Sequence, residues 1–367
     1  MAVTLDNIPP EIIQTHILPR LDGPSLSATA TTSSHLKTLC SDDTLWSQIS
    51  RFTWPSITHP RVNDVLSTFP AGHRSFFVDS FPALISEVNH RNHRRSWSTP
   101  KPDYSVCYLD RSFYTSELIS AVDIRYQNDI IYSGVKFTQI TDGFLSSAFG
   151  IELNKDGDGG GDGDGDVDVD EHTGISRSID LTVDEIAGAD KATLSHLKES
   201  LTLNWILIDP THKRACNLSS IKPVSARQDW VTNETLLRFV TVLPGCDPNE
   251  MVKCRIRMVL GVGEKGVGLY VKEVKLNLHD LDSVRLNGME FLMVAEGAIM
   301  EENNVRRKVV DDEQRLKGYN VFKEMKREKK EWERRNERRM ELLLYFNYVA
   351  IFVCSFLCVW FFYLLLL

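Results

Sequence analysis

The hydrophobic pattern changes period along the chain, and each change marks a boundary. From Leu5 to about Ile49 apolar residues recur at helical spacing. Ile13, Ile17 and Leu21 fall at i, i+4 and i+8 with Leu18 beside them, which predicts a helix from about Pro9 to Leu21 carrying one apolar stripe. Asp6 or Asn7 can cap its start, Pro9 and Pro10 suit a first turn whose N–H groups lack partners, and Glu11 lies where the helix dipole favours an anion. Asp22-Gly23-Pro24 predicts its end. Ser25 is placed to cap a second short helix through Ala30, and a third is expected from about Ser33 to Cys40. Three helices of this size bury too little apolar surface to stand alone, so the segment must pack on the rest of the chain or on another protein.

From Tyr104 the period becomes that of strands. Ser105 to Leu109, Ala121 to Tyr126 and Asp129 to Phe137 are β-rich, with Gln127-Asn128 as a hairpin turn. The pattern resumes in Leu201 to Ile208, Leu236 to Leu243, Val252 to Val262, Val267 to His279 and Glu290 to Ala295. In one of these, Cys254, Ile256, Met258 and Leu260 alternate with Lys253, Arg255 and Arg257, so one face is buried and the other wet. A mostly antiparallel sheet or sandwich over 104–297 follows. Residues 51–103 form an aromatic and proline-rich connector, expected to pack on the N-terminal helices because so many aromatic rings are costly to leave in water.

Two spans end the chain. Residues 298–341 are highly charged: Lys323 to Arg339 holds nine Lys or Arg against five Glu, with Glu331 and Arg335 at helical spacing, and a solvated helical stalk is expected. Val321, Met325 and Trp332 share one side of it. Residues 342–367 then run 26 positions without a charge. At about 1.5 Å per residue they reach roughly 39 Å, enough to cross about 30 Å of hydrocarbon. The expectation is a single-pass tail anchor, with the basic stalk holding the N-terminal bulk on the cytosolic side and the endoplasmic reticulum or a connected endomembrane as the site.

Composition narrows the chemistry. The 367 residues carry a formal charge of −8, which argues against a general nucleic-acid binder. Seven cysteines form no Cys-x-x-Cys pair and no basic-apolar leader begins the chain, so a reducing, cytosolic setting is expected. Asp162, Asp164 and Asp166 in the Asp/Gly run 156–171 have the first spacings of a calcium loop, but Val167 and Thr173 stand where such a loop needs Gly and a bidentate Glu, so a disordered insertion is expected instead. Gly261-Val262-Gly263-Glu264-Lys265-Gly266 spells a dinucleotide fingerprint, but strand-like residues follow where that fingerprint requires a helix, so a hairpin turn is expected. No metalloprotease, nucleophile-elbow or phosphate-loop pattern occurs, and neither a catalytic residue, a metal nor a cofactor is expected.

The N-terminal order Ile8-Pro9, Glu11-Ile12-Ile13, Ile17-Leu18, Leu21, Leu26, Ser33 through Leu39 and Asp42-Asp43-Thr44-Leu45-Trp46 resembles an F-box, with Leu36 where that family usually has Trp. The Phe69-Pro70, Arg74-Ser75-Phe76-Phe77 and Phe81-Pro82 pieces are similar to a plant F-box subfamily, and Leu203 to Pro210 with Trp230 resembles phloem-lectin-like domains. The resemblance implies an α+β chain with a three-helix F-box at 1–50, a β-rich substrate-recognition domain, a charged helix and one transmembrane helix. It implies a non-catalytic subunit of a Skp–cullin–F-box ubiquitin ligase, with an unknown protein substrate and membrane lipid as further partners. Its adaptor-binding residues would be Ile8, Pro9, Ile13, Ile17, Leu18, Leu21, Leu26, Leu36, Leu39 and Trp46. The alternative is a tail-anchored binding or scaffold protein with a lectin-like β domain and no ligase role.

Overall fold

The computed structural model describes residues 8–86, 115–154, 175–177, 179–182, 191–229, 231–232, 234–246, 250–262, 267–300, 305–308 and 312–365. The expected cap at Asp6 or Asn7, the predicted strand at Ser105 to Leu109, the Asp/Gly run 156–171 and Trp230 lie outside the described residues. The fold is α+β, as the sequence pattern predicts.

The chain begins with α1, a composite helix of Pro10–Ile12, a π-type stretch Ile13–Ile17 and a 3₁₀ turn Leu18–Arg20. Pro19 explains the unevenness: it has no N–H to bond back along the helix, so the ladder widens before it and tightens around it. The second helix, α2 (Gly23–Ala30), starts earlier than the sequence suggested. Asp22, not Ser25, is its cap, and its carboxylate accepts the Ser25 N–H at 2.9 Å. Ser33 caps α3 (Ser34–Leu39), and Asp42 caps α4 (Asp43–Thr53). A 3₁₀ turn at Pro55–Thr58, α5 (Pro60–Ser67) and α6 (Gly72–Ser80) complete the helical layer.

Three sheets follow, every described strand pair being antiparallel. β1 (Ala83–Ser86) pairs only with β13 (Val305–Lys308), joining segments more than 200 residues apart. The five-stranded sheet runs in the order β5 (Ile175–Ser176), β3 (Asp129–Gln139), β2 (Glu117–Tyr126), β7 (Leu201–Asp209), β8 (Arg214–Asn217). Gln127 and Asn128 join β2 to β3 with φ of 49° and 73°, the left-handed pair that a two-residue hairpin requires. The six-stranded sheet has β4 (Ile151–Asn154), β12 (Val267–His279), β11 (Met251–Val262), β10 (Thr235–Pro244) and β9 (Ser225–Gln228) in that order, with β6 (Ile179–Thr182) also on β12. The turn expected at Gly263 to Gly266 lies outside the described residues; Gly261 and Val262 belong to β11 and Val267 opens β12, so strands flank that run on both sides.

The five-stranded sheet is covered on both faces. Leu118, Val122 and Ile124 of β2 and Leu203, Trp205 and Leu207 of β7 meet Phe239, Cys254, Ile256, Met258 and Leu276 of the six-stranded sheet, which makes a sandwich. The alternate residues Ile119, Ala121, Ile206 and Ile208 instead join the core of the helical layer with Trp54, Ile57, Phe76 and Phe77. Double burial is why β2 and β7 read as nearly continuous apolar runs.

Two further helices, α7 (Asp142–Ser146) and α8 (Lys191–Ser200), lie between strands, and residues Glu290 to Ala295, expected as a strand, lie in a helix, α9 (Gly288–Met300). Asn287 and Glu290 form a reciprocal cap: the Glu290 N–H donates to Asn287 Oδ1 at 2.8 Å, and the Asn287 N–H donates to Glu290 Oε2 at 2.9 Å. This helix is buried almost all round, with Phe291 stacked on Phe149 at 3.6 Å, so it shows no amphipathic period.

The final helix, α10 (Asp312–Leu365), is continuous over 54 residues. Its first part is no free stalk: Phe322 and Met325 are buried against Val240, Val242, Met251 and Leu281 on the outer face of the six-stranded sheet. From Met340 to Tyr363 its large apolar side chains are exposed, and the helix is long and apolar enough to cross a membrane. It is a candidate membrane span.

Two buried carboxylates stitch helices to strands. Asp79 of α6 accepts from Arg214 Nε at 2.8 Å, from Arg307 Nη1 at 2.9 Å and from the Ala215 N–H at 3.1 Å. Arg307 also donates to the carbonyls of Ala215 and Ile299, so this cluster ties α6, β8, α9 and β13 together. Asp123 of β2, fully buried, accepts from Ser56 N at 3.0 Å, Ser56 Oγ at 2.5 Å and Ser133 Oγ at 2.7 Å. Burial pushes its carboxyl up to about 6, against the lowering effect of those three donors.

Asp79→Ala should leave two arginines short of their carboxylate and cost about 3–5 kcal/mol, read as a lowered urea midpoint. For Asp123 the folded pKa lies above the unfolded one, so its contribution favours folding at low pH and is lost as pH rises from about 4 to about 6. Asp123→Asn should therefore gain stability relative to wild type across that window, with a constant difference above it. Melting temperatures of both proteins between pH 4 and pH 8 check this.

Candidate functional site

The ten residues singled out on sequence divide by burial. Ile13, Leu18, Leu26, Leu36 and Trp46 are buried in the core. Trp46 packs on Phe77 at 5.4 Å and its indole N–H donates to the Cys40 carbonyl at 2.7 Å, which satisfies its one polar atom inside the core. Leu36 fills the same cluster as Ile13 and Leu26. The division has a simple cause: the apolar stripe that sequence periodicity detects is the inward face, and five of the ten belong to it.

What remains accessible is a different set. Pro9 is exposed, Ile8, Ile17, Leu21 and Leu39 are half-buried, and Ile12 is 44% exposed. Ile12 belongs to the motif, but periodicity alone could not separate it from Ile13. Its exposure follows from its position one step off the buried stripe of α1.

Side-chain bonds hold α1 and α4 in place. Gln14 Nε2 donates to Asp42 Oδ2 at 3.1 Å, while Asp42 also receives the Thr44 N–H, and these donors hold its carboxyl below the usual range. Next to it, Asp43 accepts the His73 N–H at 2.7 Å and lies 2.9 Å from His73 Nδ1, which fixes α4 to α6. Gly72 makes room for this carboxylate: it has φ of +53°, and a Cβ there would lie 2.4 Å from Asp43 Oδ1. Gly23 is required for a similar reason, since a Cβ would meet the Phe77 ring at 2.0 Å.

Beside this rim is a groove of about 480 Å³ lined by Leu21, Gly23, Ile49, Phe52, Phe77 and Phe81 among others. Phe52 stands 79% exposed at its edge. Sequence reading grouped Phe52 with the packing aromatics; only the fold shows that its ring points away from the core.

The site has the chemistry of a contact surface. Among the described residues no group of three or more His, Cys, Asp or Glu could hold a metal ion. The buried thiols are poor nucleophiles: burial raises Cys40, and it pushes Cys216 up to about 12.

Comparison with known proteins agrees with this geometry. A family profile described as F-box-like matches residues 5–51. "F-box protein At2g27310" of Arabidopsis thaliana is 35% identical over 337 residues, covering 90% of this chain and 87% of that protein. "F-box protein At3g44326" of the same organism is 35% identical over 340 residues, covering 90% and 84%. "Probable F-box protein At2g36090" is 34% identical over 322 residues, covering 86% and 81%. No solved structure matches the chain.

Proposed function

This chain belongs to the F-box protein family, and from that premise we propose that it is the membrane-tethered substrate receptor of a Skp–cullin–F-box ubiquitin ligase. The observation that carries the proposal is Ile12, an exposed apolar residue beside Pro9 on a helix whose opposite side is locked into the core. In this reading Ile8, Pro9, Ile12, Ile17, Leu21 and Leu39 contact the Skp-type adaptor, and Ile13, Leu18, Leu26, Leu36 and Trp46 hold the backbone beneath them. The β sandwich selects the protein target. The chain supplies no acid, base or nucleophile of its own; it raises the effective concentration of target lysines near the conjugating enzyme that the ligase recruits.

Rigidity supports this role. The helical layer and the sandwich share the five-stranded sheet as a common wall, so an adaptor held at α1 and a target held by the sandwich keep a fixed separation. In the same reading residues 342–365 cross a membrane of the endoplasmic reticulum or a connected compartment, and the Arg-rich turn before them keeps the folded body in the cytosol.

Ile12→Asp should cut adaptor co-purification by about tenfold or more without lowering the melting temperature, because an exposed apolar side chain is replaced by one that suits a helix N-terminus. Adaptor recovery equal to wild type would remove Ile12 from the contact surface, and absence of adaptor from both would end the ligase reading. Removal of 342–367 should move the protein from the carbonate-resistant membrane pellet to the soluble fraction, and fractionation of both forms checks this.

A further inference from the structure

The outer face of the six-stranded sheet gathers positive charge well beyond what its own carboxylates offset. Because Cys254, Ile256 and Met258 of β11 point into the sandwich, Lys253, Arg255 and Arg257 point out. The ladder sets Arg238 of β10 directly opposite Arg257, and Val240 opposite Arg255, so Arg255 is one diagonal step from Arg238. On the other side, β12 sets Lys275 opposite Arg257, Asn277 opposite Arg255 and His279 opposite Lys253. Directly opposed residues are about 5 Å apart and diagonal ones roughly 7–8 Å, and like charges at those separations destabilise a sheet.

Two cations here are neutralised by acidic neighbours. Arg257 pairs with Glu273 at 2.5 Å, and Lys275 pairs with Glu152. Arg238 makes no side-chain hydrogen bond or ion pair with any described residue. The only polar side-chain contact of Arg255 is from Nη2 to the His279 ring at 3.4 Å, and its buried Nε has no partner among the described residues. Asn277, 6% exposed, and His279 each keep a buried polar atom, Oδ1 and Nδ1, without a hydrogen bond. Lys253 lies over the Phe322 ring, and Arg285 donates through Nε to the Phe149 carbonyl. From α10, Lys326 reaches Ser283 and Lys329 pairs with Asp282. The crowding of like charges acts on their protonation. Burial and then Arg238, Arg257 and Arg285 hold Arg255 below its ordinary range. Burial and then Arg255, Lys326 and Arg238 bring Lys253 down to about 8. Burial with Arg255, Lys253 and Arg285 likewise takes His279 to about 4, with Asp280 opposing.

We propose that this face is an oxyanion site in which Arg238 and Arg255, with Arg257 beside them, bind a ligand carrying more than one phosphate-type charge. Guanidinium groups present paired N–H donors that match phosphate oxygens, and a bound dianion would offset the repulsion that the empty face carries. Helix α10 forms one wall, with Phe322 seated at the Lys253 end. The ligand is a free phosphate compound rather than a lipid headgroup. This assignment rests on the membrane reading of 342–365: sixteen residues of continuous helix lie between Met325, docked on this sheet, and Leu342, a rise of about 26 Å, which holds the site away from a bilayer surface. The site is independent of the adaptor surface and goes beyond the ligase reading.

The test is calorimetric titration of the full-length protein, held in lipid nanodiscs of phosphatidylcholine, with inorganic pyrophosphate at low salt. Saturable binding is expected, weakened about tenfold or more in Arg238→Gln/Arg255→Gln and severalfold in Arg255→Lys, which keeps the charge but loses the fork. Without pyrophosphate the double variant should melt at or above the wild-type temperature, since repulsion has been removed, yet it should lose the pyrophosphate-induced rise. A merely structural role for these arginines would lower it. Wild type that does not saturate, or a double variant that binds as well as wild type, would overturn the proposal. Discs doped with phosphatidylinositol bisphosphate separate the sources: unchanged pyrophosphate affinity supports a free ligand, and a competitive loss overturns that assignment in favour of headgroups.

Discussion

The structure depends on a sheet that has no free face. The five-stranded sheet meets the six-stranded sheet on one side and the helical layer on the other, and at its β8 edge the Asp79 carboxylate sits between Arg214 and Arg307. Taking Asp79 and Arg307 out of water is expensive, and the cost is offset here because the one carboxylate accepts from two guanidinium groups and from the Ala215 N–H. The three groups come from α6, β8 and β13, which lie far apart in sequence. Their meeting makes the helical layer and the sandwich one packed body, so the N-terminal helices gain from the sandwich the burial that they are too small to supply themselves.

That union matters for function because a receptor works through placement. An adaptor surface on a loosely tethered module would sample many orientations, and the gain in effective concentration would be spread over all of them. Here α1 is tied to α4 through Gln14 and Asp42, α4 to α6 through Asp43 and His73, and α6 to β8 through Asp79. Continuing outward, β10 and β11 present their far face to Phe322 and Met325 of α10, so the candidate membrane span is continuous with a helix packed on the sandwich. A chain of packed elements therefore runs from the exposed Ile12 to the apolar helix, and the basic face of the six-stranded sheet lies along it.

Much of this was legible in the sequence, for reasons that can be named. Helical and strand periods are local properties, and so are the hairpin at Gln127-Asn128 and the alternation of Cys254, Ile256 and Met258 with Lys253, Arg255 and Arg257. The α9 helix was missed because a helix buried on all sides has no amphipathic period; the cap formed by Asn287 and Glu290 was the signal that could have found it. The start of α2 was placed late because Asp22 looked like the end of α1, although the same residue accepts the Ser25 N–H.

The sequence alone determined the family, through an ordered series of N-terminal positions, and the α+β class, the antiparallel strands and the uncharged run at 342–367. The tertiary structure decided which of the motif's apolar residues face inward and which face water, because a stripe of 3.6-residue period says where an interior lies but not how wide its border is. It also decided that α10 begins on a sheet rather than in solvent, and that Arg238 stands opposite Arg257. Register between strands is set by long-range packing, and no local pattern encodes it.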